Sequence, residues 1–258
     1  MKKAGIIGYG WVGARIANAM SGQYEIYTTT TTQEKADALN AQRLDAVVAS
    51  FPDYQLNEPY QRWKAIDDLD VLIITIPISG KSCCVSSLYN RIQNLSAFIG
   101  DFKGQIFLMS STGVYSDAQG EVTEEDVPVE NVSGERMIKN KYPQVNILRL
   151  GGLMGDNRLL KNYKVSNLDY AVNHIHYADI CSIISIMIEK GTEAKLYNVT
   201  APLHPPKIQV LNAQNNVPDN EETEVKGKKV LSSKLVSELE YVFQYPDPRA
   251  FHEINSNH

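Results

Sequence analysis

The sequence predicts an α/β fold, a doubly wound parallel sheet followed by a small C-terminal subdomain. Three observations predict it. Short apolar runs alternate with helix-period segments from residue 4 to about residue 150. A glycine-rich turn joins the first apolar run to the first helical segment. The alternation stops after Pro202.

Each element has its own signal. Residues 4–7 are apolar and uncharged, as a strand buried on both faces requires. Val12, Ile16 and Met20 then recur at helical spacing, and Gly22 stands where a helix stop is expected. Residues 25–28 predict a second strand, 33–39 a helix and 44–49 a third strand. The run Val71-Leu72-Ile73-Ile74-Thr75-Ile76 is β-branched and uncharged, and Pro77 ends it. Residues 85–99 predict a helix, 105–109 a strand and 133–141 a helix; residues 145–150 predict a strand closed by Gly151-Gly152. Ile180, Ile183, Ile184, Met187 and Ile188 form one apolar helix face, and 195–199 predict a further strand. Pro205-Pro206 and the polar stretch 212–224 predict loops, and residues 255–258 are expected to fray.

Composition narrows the function classes. The 258 residues carry 25 basic and 30 acidic side chains, a net charge of −5, which argues against nucleic acid or an anionic membrane as the main partner. Cys83, Cys84 and Cys181 form no C-x-x-C pair, and five scattered histidines give no zinc spacing, so three reduced thiols and no metal are expected. The N-terminal apolar stretch is too short for a signal peptide or a membrane span, and no later run reaches that length. A soluble cytoplasmic protein is the expectation.

Gly8-Tyr9-Gly10-Trp11-Val12-Gly13 fits G-x-G-x-x-G between the first strand and the first helix. In a Rossmann-type site Gly8 permits the tight turn, Gly10 lets the backbone approach a pyrophosphate, and Gly13 lets helix pack on strand. The helix N-terminus then offers amide donors and a partial positive charge. The expected ligand is NAD(H) or NADP(H). An acid at the end of the second strand would bind the ribose of NAD. Residues 28–32 are all threonine instead, which tilts the expectation towards NADP, with Thr29 and Thr30 as contacts. A solvated polar turn is the alternative. Thr75, Ile76 and Pro77 close the fourth strand and Gly151 a later one, at strand ends that face the crevice in open sheets.

Four segments follow in order: Ser110-Ser111-Thr112-Gly113-Val114-Tyr115, Leu148-Arg149-Leu150-Gly151-Gly152-Leu153-Met154-Gly155, His174-Ile175-His176-Tyr177-Ala178-Asp179-Ile180 and Tyr197-Asn198-Val199. This series resembles the short-chain dehydrogenase/reductase superfamily, and within it the extended and atypical NAD-dependent epimerase/dehydratase branch. The resemblance covers roughly residues 4–200 and continues weakly to Tyr245-Pro246. It implies an NAD(P)-binding Rossmann domain over residues 1–200. It implies a small substrate-binding region over 201–258, joined by part of 151–176. Hydroxylated substrates are implied, nucleotide sugars among them. The resemblance places Ser111 at the catalytic Ser/Thr position, with Thr112 beside it and Tyr115 in the family's Val-Tyr pattern. A hydroxyl there can polarise a substrate oxygen. The alternative is that Ser110, Ser111 and Thr112 satisfy backbone groups at a strand end and that Tyr115 packs.

The chain departs from the family at one point. The family's tyrosine and lysine, four residues apart, fall on Val127 and Asn131, and neither can exchange a proton. The one Tyr-x-x-x-Lys, Tyr60 to Lys64, precedes the fourth strand and is a chance match; Tyr60 and Trp63 are expected to cover a core edge. Tyr115, Glu135 or Arg136, and Tyr142 are conceivable substitutes. His176 and Asp179 match the family's His-x-x-Asp, where helix capping competes with substrate contact. Arg149 suits an internal ion pair, and Arg158 a substrate diphosphate. Two functions stay open: an NAD(P)-dependent epimerase, dehydratase or reductase, or a non-catalytic NAD(P)-binding sensor or regulator.

Overall fold

A computed structural model of the protein describes residues 1–58, 60–78, 85–219 and 224–252. Cys83, Cys84 and residues 220–223 and 255–258, read above as thiols, loop and tail, lie outside them. The chain runs β1 (Lys2–Ile7), α1 (Trp11–Met20), β2 (Tyr24–Thr30), α2 (Gln33–Ala41), β3 (Asp45–Val48), β4 (Val71–Ile74), α3 (Val85–Ile99) and β5 (Gln105–Ser111). It continues with β6 (Gly120–Val122), α4 (Ser133–Lys141), β7 (Asn146–Leu150), β8 (Gly152–Met154), β9 (His174–His176), α5 (Tyr177–Glu189) and β10 (Leu196–Val199). Last come α6 (Lys207–Gln214), β11 (Lys228–Val230) and α7 (Ser233–Leu239).

Seven strands form one parallel sheet in the order β10-β7-β5-β4-β1-β2-β3. The chain leaves β1 towards β2 on one side and returns to β4 on the other. The order therefore reverses at β1 and β4, with Ile6 opposite Thr28 and Ile7 opposite Ile74. In such sheets the carboxyl ends at the reversal form the ligand crevice. The fold is the Rossmann-type α/β class that the strand–helix alternation predicts.

The chain divides into two compact units. The first comprises Met1–Ser110, Pro128–Leu148 and Ile188–Leu196. Its core joins Ile7, Leu72, Ile74, Leu95, Ile106 and Leu108, all fully or almost fully buried. Trp63 stacks on Phe98 at 5.4 Å and Tyr60 meets it edge-on at 5.6 Å, so this pair does cover a core edge.

The second unit comprises Ser111–Val127, Arg149–Met187 and Tyr197–His258. It holds two short parallel ladders, β6 with β11 and β8 with β9. Small clusters pack Met154 with Ala201 and Phe251, and Leu160 with Val172 and Val210. Of the stretch 212–224, read as loop, residues 212–214 are the last residues of α6, and β11 and α7 follow it. Pro206 is the N-cap residue of α6, where a missing N–H costs nothing. Among the described residues no helix is long and apolar enough to cross a membrane.

Candidate cofactor and active-site residues

In the first unit the glycine loop is built against the ends of β2 and β4. Gly8 has a φ of +102°, which L side chains rarely adopt. Its N–H donates to the Thr29 hydroxyl oxygen at 3.0 Å. Its carbonyl accepts from Thr75 Oγ1 at 2.6 Å and from the Gly10 amide at 2.8 Å. A Cβ on Gly13 would lie 2.2 Å from that carbonyl oxygen, so only glycine lets α1 approach β1 this closely. A Cβ on Gly10 would meet nothing within 4 Å. Gly10 is also the N-cap residue of α1, and no side chain caps that helix. Open space in front of an uncapped helix N-terminus fits a pyrophosphate.

Residues 28–30 of the threonine run do not form the solvated turn that was the alternative to cofactor contact. β2 continues through Thr30, and Thr28, Thr29 and Thr30 are buried. Thr28 donates to the Ile6 carbonyl at 2.8 Å, and Thr32 caps α2 by accepting from the Lys35 amide. Lys35 is a residue that the sequence reading missed. Its ammonium donates to the Tyr9 carbonyl at 2.5 Å and sits 5.6 Å from the Tyr9 ring centroid. Its signal is a cation in the first turn of α2, three residues beyond Thr32. Arg15 lies over the Trp11 ring at 3.7 Å and donates to the Trp11 carbonyl. Thr75 and Ile76 are half-buried and Pro77 is exposed. The first unit thus brings together Gly8, Tyr9, Gly10, Trp11, Val12, Gly13, Thr29, Thr30, Thr75, Ile76 and Pro77 at the carboxyl ends of β1, β2 and β4. At the end of β5, Ser110 donates to Oε1 of the buried Glu135 at 2.6 Å. Tyr142 donates to the Gly100 carbonyl at 3.0 Å, and burial pushes its phenol up to about 12, which suits packing rather than proton exchange at neutral pH.

In the second unit Ser111 caps the single turn of 3-10 helix Thr112–Tyr115, its hydroxyl accepting from the Gly113 amide at 3.0 Å. Ser111 is exposed, whereas Thr112 and Tyr115 are buried. Lys228, also absent from the sequence reading, donates to the carbonyls of Tyr115 at 2.7 Å and Thr112 at 3.3 Å, closing the turn. The Tyr115 hydroxyl donates to Asn198 Oδ1 at 2.7 Å and accepts from Arg149 Nη1 at 2.8 Å. Arg149, almost fully buried, also donates to the Glu124 carbonyl at 2.9 Å. Burial raises the Tyr115 phenol and Arg149 opposes that rise. Tyr115 and Arg149 are parts of one buried polar network.

His176 is buried, and its Nδ1 accepts from the Ala178 amide at 3.3 Å while Tyr245 packs on its ring at 3.9 Å. Asp179 is the third residue of α5, not its cap. Its carboxylate accepts from the Tyr241 hydroxyl at 2.7 Å and from the amides of Gln244 and Tyr245 at 2.8 and 3.2 Å. It ties α5 to the segment after α7, although burial raises its pKa. The half-buried Arg158 closes a tight turn, exchanging backbone hydrogen bonds with Gly155 at 2.9 and 3.2 Å. Gly151 is buried, and a Cβ there would lie 2.4 Å from the Asn173 carbonyl.

No protein-family model matches the chain. Protein YeeZ of Escherichia coli K12 is 27% identical over 270 residues, which span 96% of this chain and 98% of YeeZ. Among solved structures, yeast methylglyoxal/isovaleraldehyde reductase complexed with NADPH superposes with a TM-score of 0.73 at 14% identity, covering 97% of this chain and 96% of its own. UDP-glucuronic acid 4-epimerase from Bacillus cereus in complex with NAD gives 0.70 at 15% identity, with coverages of 97% and 96%. dTDP-glucose 4,6-dehydratase from Bacillus anthracis in complex with NAD gives 0.67 at 12% identity, with coverages of 98% and 95%. Across nearly its whole length the chain shares the fold of these reductase, epimerase and dehydratase structures.

Proposed function

We propose that the chain is an NADP(H)-dependent oxidoreductase or epimerase of the short-chain dehydrogenase/reductase superfamily, in its extended and atypical epimerase/dehydratase branch. Its substrate in this reading is a small hydroxylated compound, a nucleotide sugar being the first to try. The observation that carries the reading is the glycine loop: open space at Gly10, a backbone clash for any side chain at Gly13, and an uncapped α1. Solved structures of the same fold hold NAD or NADPH, which supports a nicotinamide cofactor here.

The choice of NADP rests on charge. No acid stands at the end of β2 to repel a 2′-phosphate, and the Lys35 ammonium stands beside Tyr9 to attract one. When bound, the nicotinamide would supply hydride transfer. The chain would supply the positioning groups: the Ser111 and Thr112 hydroxyls for a substrate oxygen, and Arg158 for a substrate phosphate. Residues 201–258 would contribute to the substrate region. The second reading, a non-catalytic NADP(H) sensor, is favoured by one observation, the Val127 and Asn131 that stand in place of tyrosine and lysine.

The test is a fluorescence titration with NADPH and NADH, followed by turnover assays on nucleotide sugars, aldehydes and alcohols. Gly10→Val should abolish binding of both cofactors with the fold intact, and unchanged affinity would refute the site. Lys35→Glu should weaken NADPH by at least tenfold and leave NADH within about twofold, as loss of one ion pair to a phosphate implies. Tight cofactor binding without turnover on any substrate would select the sensor.

A further inference from the structure

His174 differs from His176 and His204, two other imidazoles of the second unit. Nδ1 of His176 accepts from the Ala178 amide, and Nδ1 of His204 pairs with the Val172 carbonyl at 3.0 Å. The His174 ring has no hydrogen-bond partner among the described residues. It lies against the exposed backbone of Gly152, the residue after the carboxyl end of β7 closes at Gly151. A Cβ on Gly152 would stand 2.6 Å from its Cδ2 and 3.2 Å from its Nε2. A glycine is therefore needed there for the ring to sit where it does. The Gly152 amide is itself held, donating to the Asn173 carbonyl at 2.7 Å, so ring and glycine are fixed in register by the β8–β9 ladder.

Electrostatics decide what this ring can do. Burial, assisted by the Lys207 ammonium, presses its pKa from 6.5 down to about 4. Lys207 is the charged side chain acting on the ring, and its own Nζ donates to the Ser166 carbonyl at 2.8 Å. A group so reluctant to take a proton makes a poor general base. It makes a good neutral hydrogen-bonding group, with one N–H and one bare nitrogen, at every physiological pH. As a residue His174 is half-buried.

We infer that His174, seated over Gly152, is a substrate-contacting residue whose imidazole accepts a hydrogen bond from a ligand hydroxyl. This rests on the proposed hydroxylated substrate, and it goes further by naming the group that recognises the hydroxyl.

The experiment is carbethoxylation of the full-length protein with diethyl pyrocarbonate at pH 5, mapped by mass spectrometry, beside NADPH titration and turnover of His174→Gln and His174→Phe. The reagent acylates only neutral, reachable imidazole nitrogens. At pH 5 an ordinary histidine is about 97% protonated. His174 in the folded protein should therefore react at least tenfold faster than a free histidine peptide under the same conditions. No modification of His174 at pH 5 would overturn the inference, whatever the activity assays give. His174→Gln keeps an acceptor and should retain most of the turnover, whereas His174→Phe should keep NADPH affinity within twofold and lose at least thirtyfold in kcat/KM; full kcat/KM in the phenylalanine variant would also overturn the inference. Failure of the wild-type protein to bind NADPH or NADH would sink the proposed function instead, and the labelling result would still decide whether His174 is a neutral, reachable imidazole.

Discussion

The Gly8 amide donates to the hydroxyl oxygen of Thr29 at 3.0 Å, joining the glycine loop to the end of β2. Thr29 is almost fully buried, so water cannot replace that oxygen. The loop's shape thus depends on a side chain twenty-one residues away as well as on its own glycines. Thr29→Val keeps the shape and the β-branch but leaves the amide without its acceptor, a cost of about 1–3 kcal/mol. Urea unfolding should register that loss, and NADPH should bind more weakly. Thr29→Ser should restore both, and a valine variant as stable as wild type would show that the contact contributes nothing.

Gly10 and Gly13 stand one turn apart and should fail differently. At Gly10 a side chain enters open space, so Gly10→Val should fold with a melting temperature close to wild type and lose only cofactor binding. At Gly13 even a methyl group meets the Gly8 carbonyl at 2.2 Å. Alanine would gain roughly 1 kcal/mol of helix propensity there. The clash involves backbone on both sides and should outweigh the gain, for a net loss of about 1–3 kcal/mol. Thermal unfolding of the two variants side by side checks the contrast, and equal stability of Gly13→Ala and wild type would refute it.

The half of the fold that the sequence made legible is the half with local signals. β1, β4 and β5 are built on runs of apolar residues and α1 on a 3.6-residue pattern, so periodicity suffices for them. β6 and β11 are three residues long and pair Val122 with Val230 across most of the second unit's sequence. No local pattern encodes such a pairing. The glycine loop was readable because its three constraints fall within six residues. Lys35 was not, because its contact with Tyr9 spans twenty-six positions. His174 was passed over for His176, although the two alternate along β9 beside Gly152 and Met154. Only burial and the partner of each ring separate their roles.

Tyr115 was read as both a catalytic candidate and a packing residue, and its contacts make a specific prediction. Its hydroxyl is the link between Arg149 Nη1 and Asn198 Oδ1, all three residues being buried. Tyr115→Phe would strip one acceptor from a buried guanidinium and one donor from a buried amide. The expected loss is about 2–3 kcal/mol in urea unfolding, since bonds to charged groups lie at the upper end of the range. NADPH affinity should stay within twofold. A variant of unchanged stability with turnover reduced a hundredfold would instead assign Tyr115 to the chemistry.

The neutral ring of His174 also makes folding depend on pH, with a definite sign. In the unfolded chain it protonates near 6.5, and in the fold not until about 4. Between these values the unfolded state binds more protons, so stability falls as the pH is lowered through that window and is flat above it. The contribution at stake is on the order of 2 kcal/mol once the ring's partial exposure is allowed for. His204, whose pKa burial also lowers, adds a slope of the same sign, while the raised carboxyl of Asp179 acts in the opposite direction. The informative quantity is therefore the difference between wild type and His174→Gln, measured by urea unfolding from pH 7.5 to 4.5. The glutamine variant should lose less stability over that range, because the other titrating groups are common to both proteins. Parallel curves for the two proteins would mean that the His174 imidazole titrates normally in the fold, and its assignment as a permanently neutral group would fall with that result.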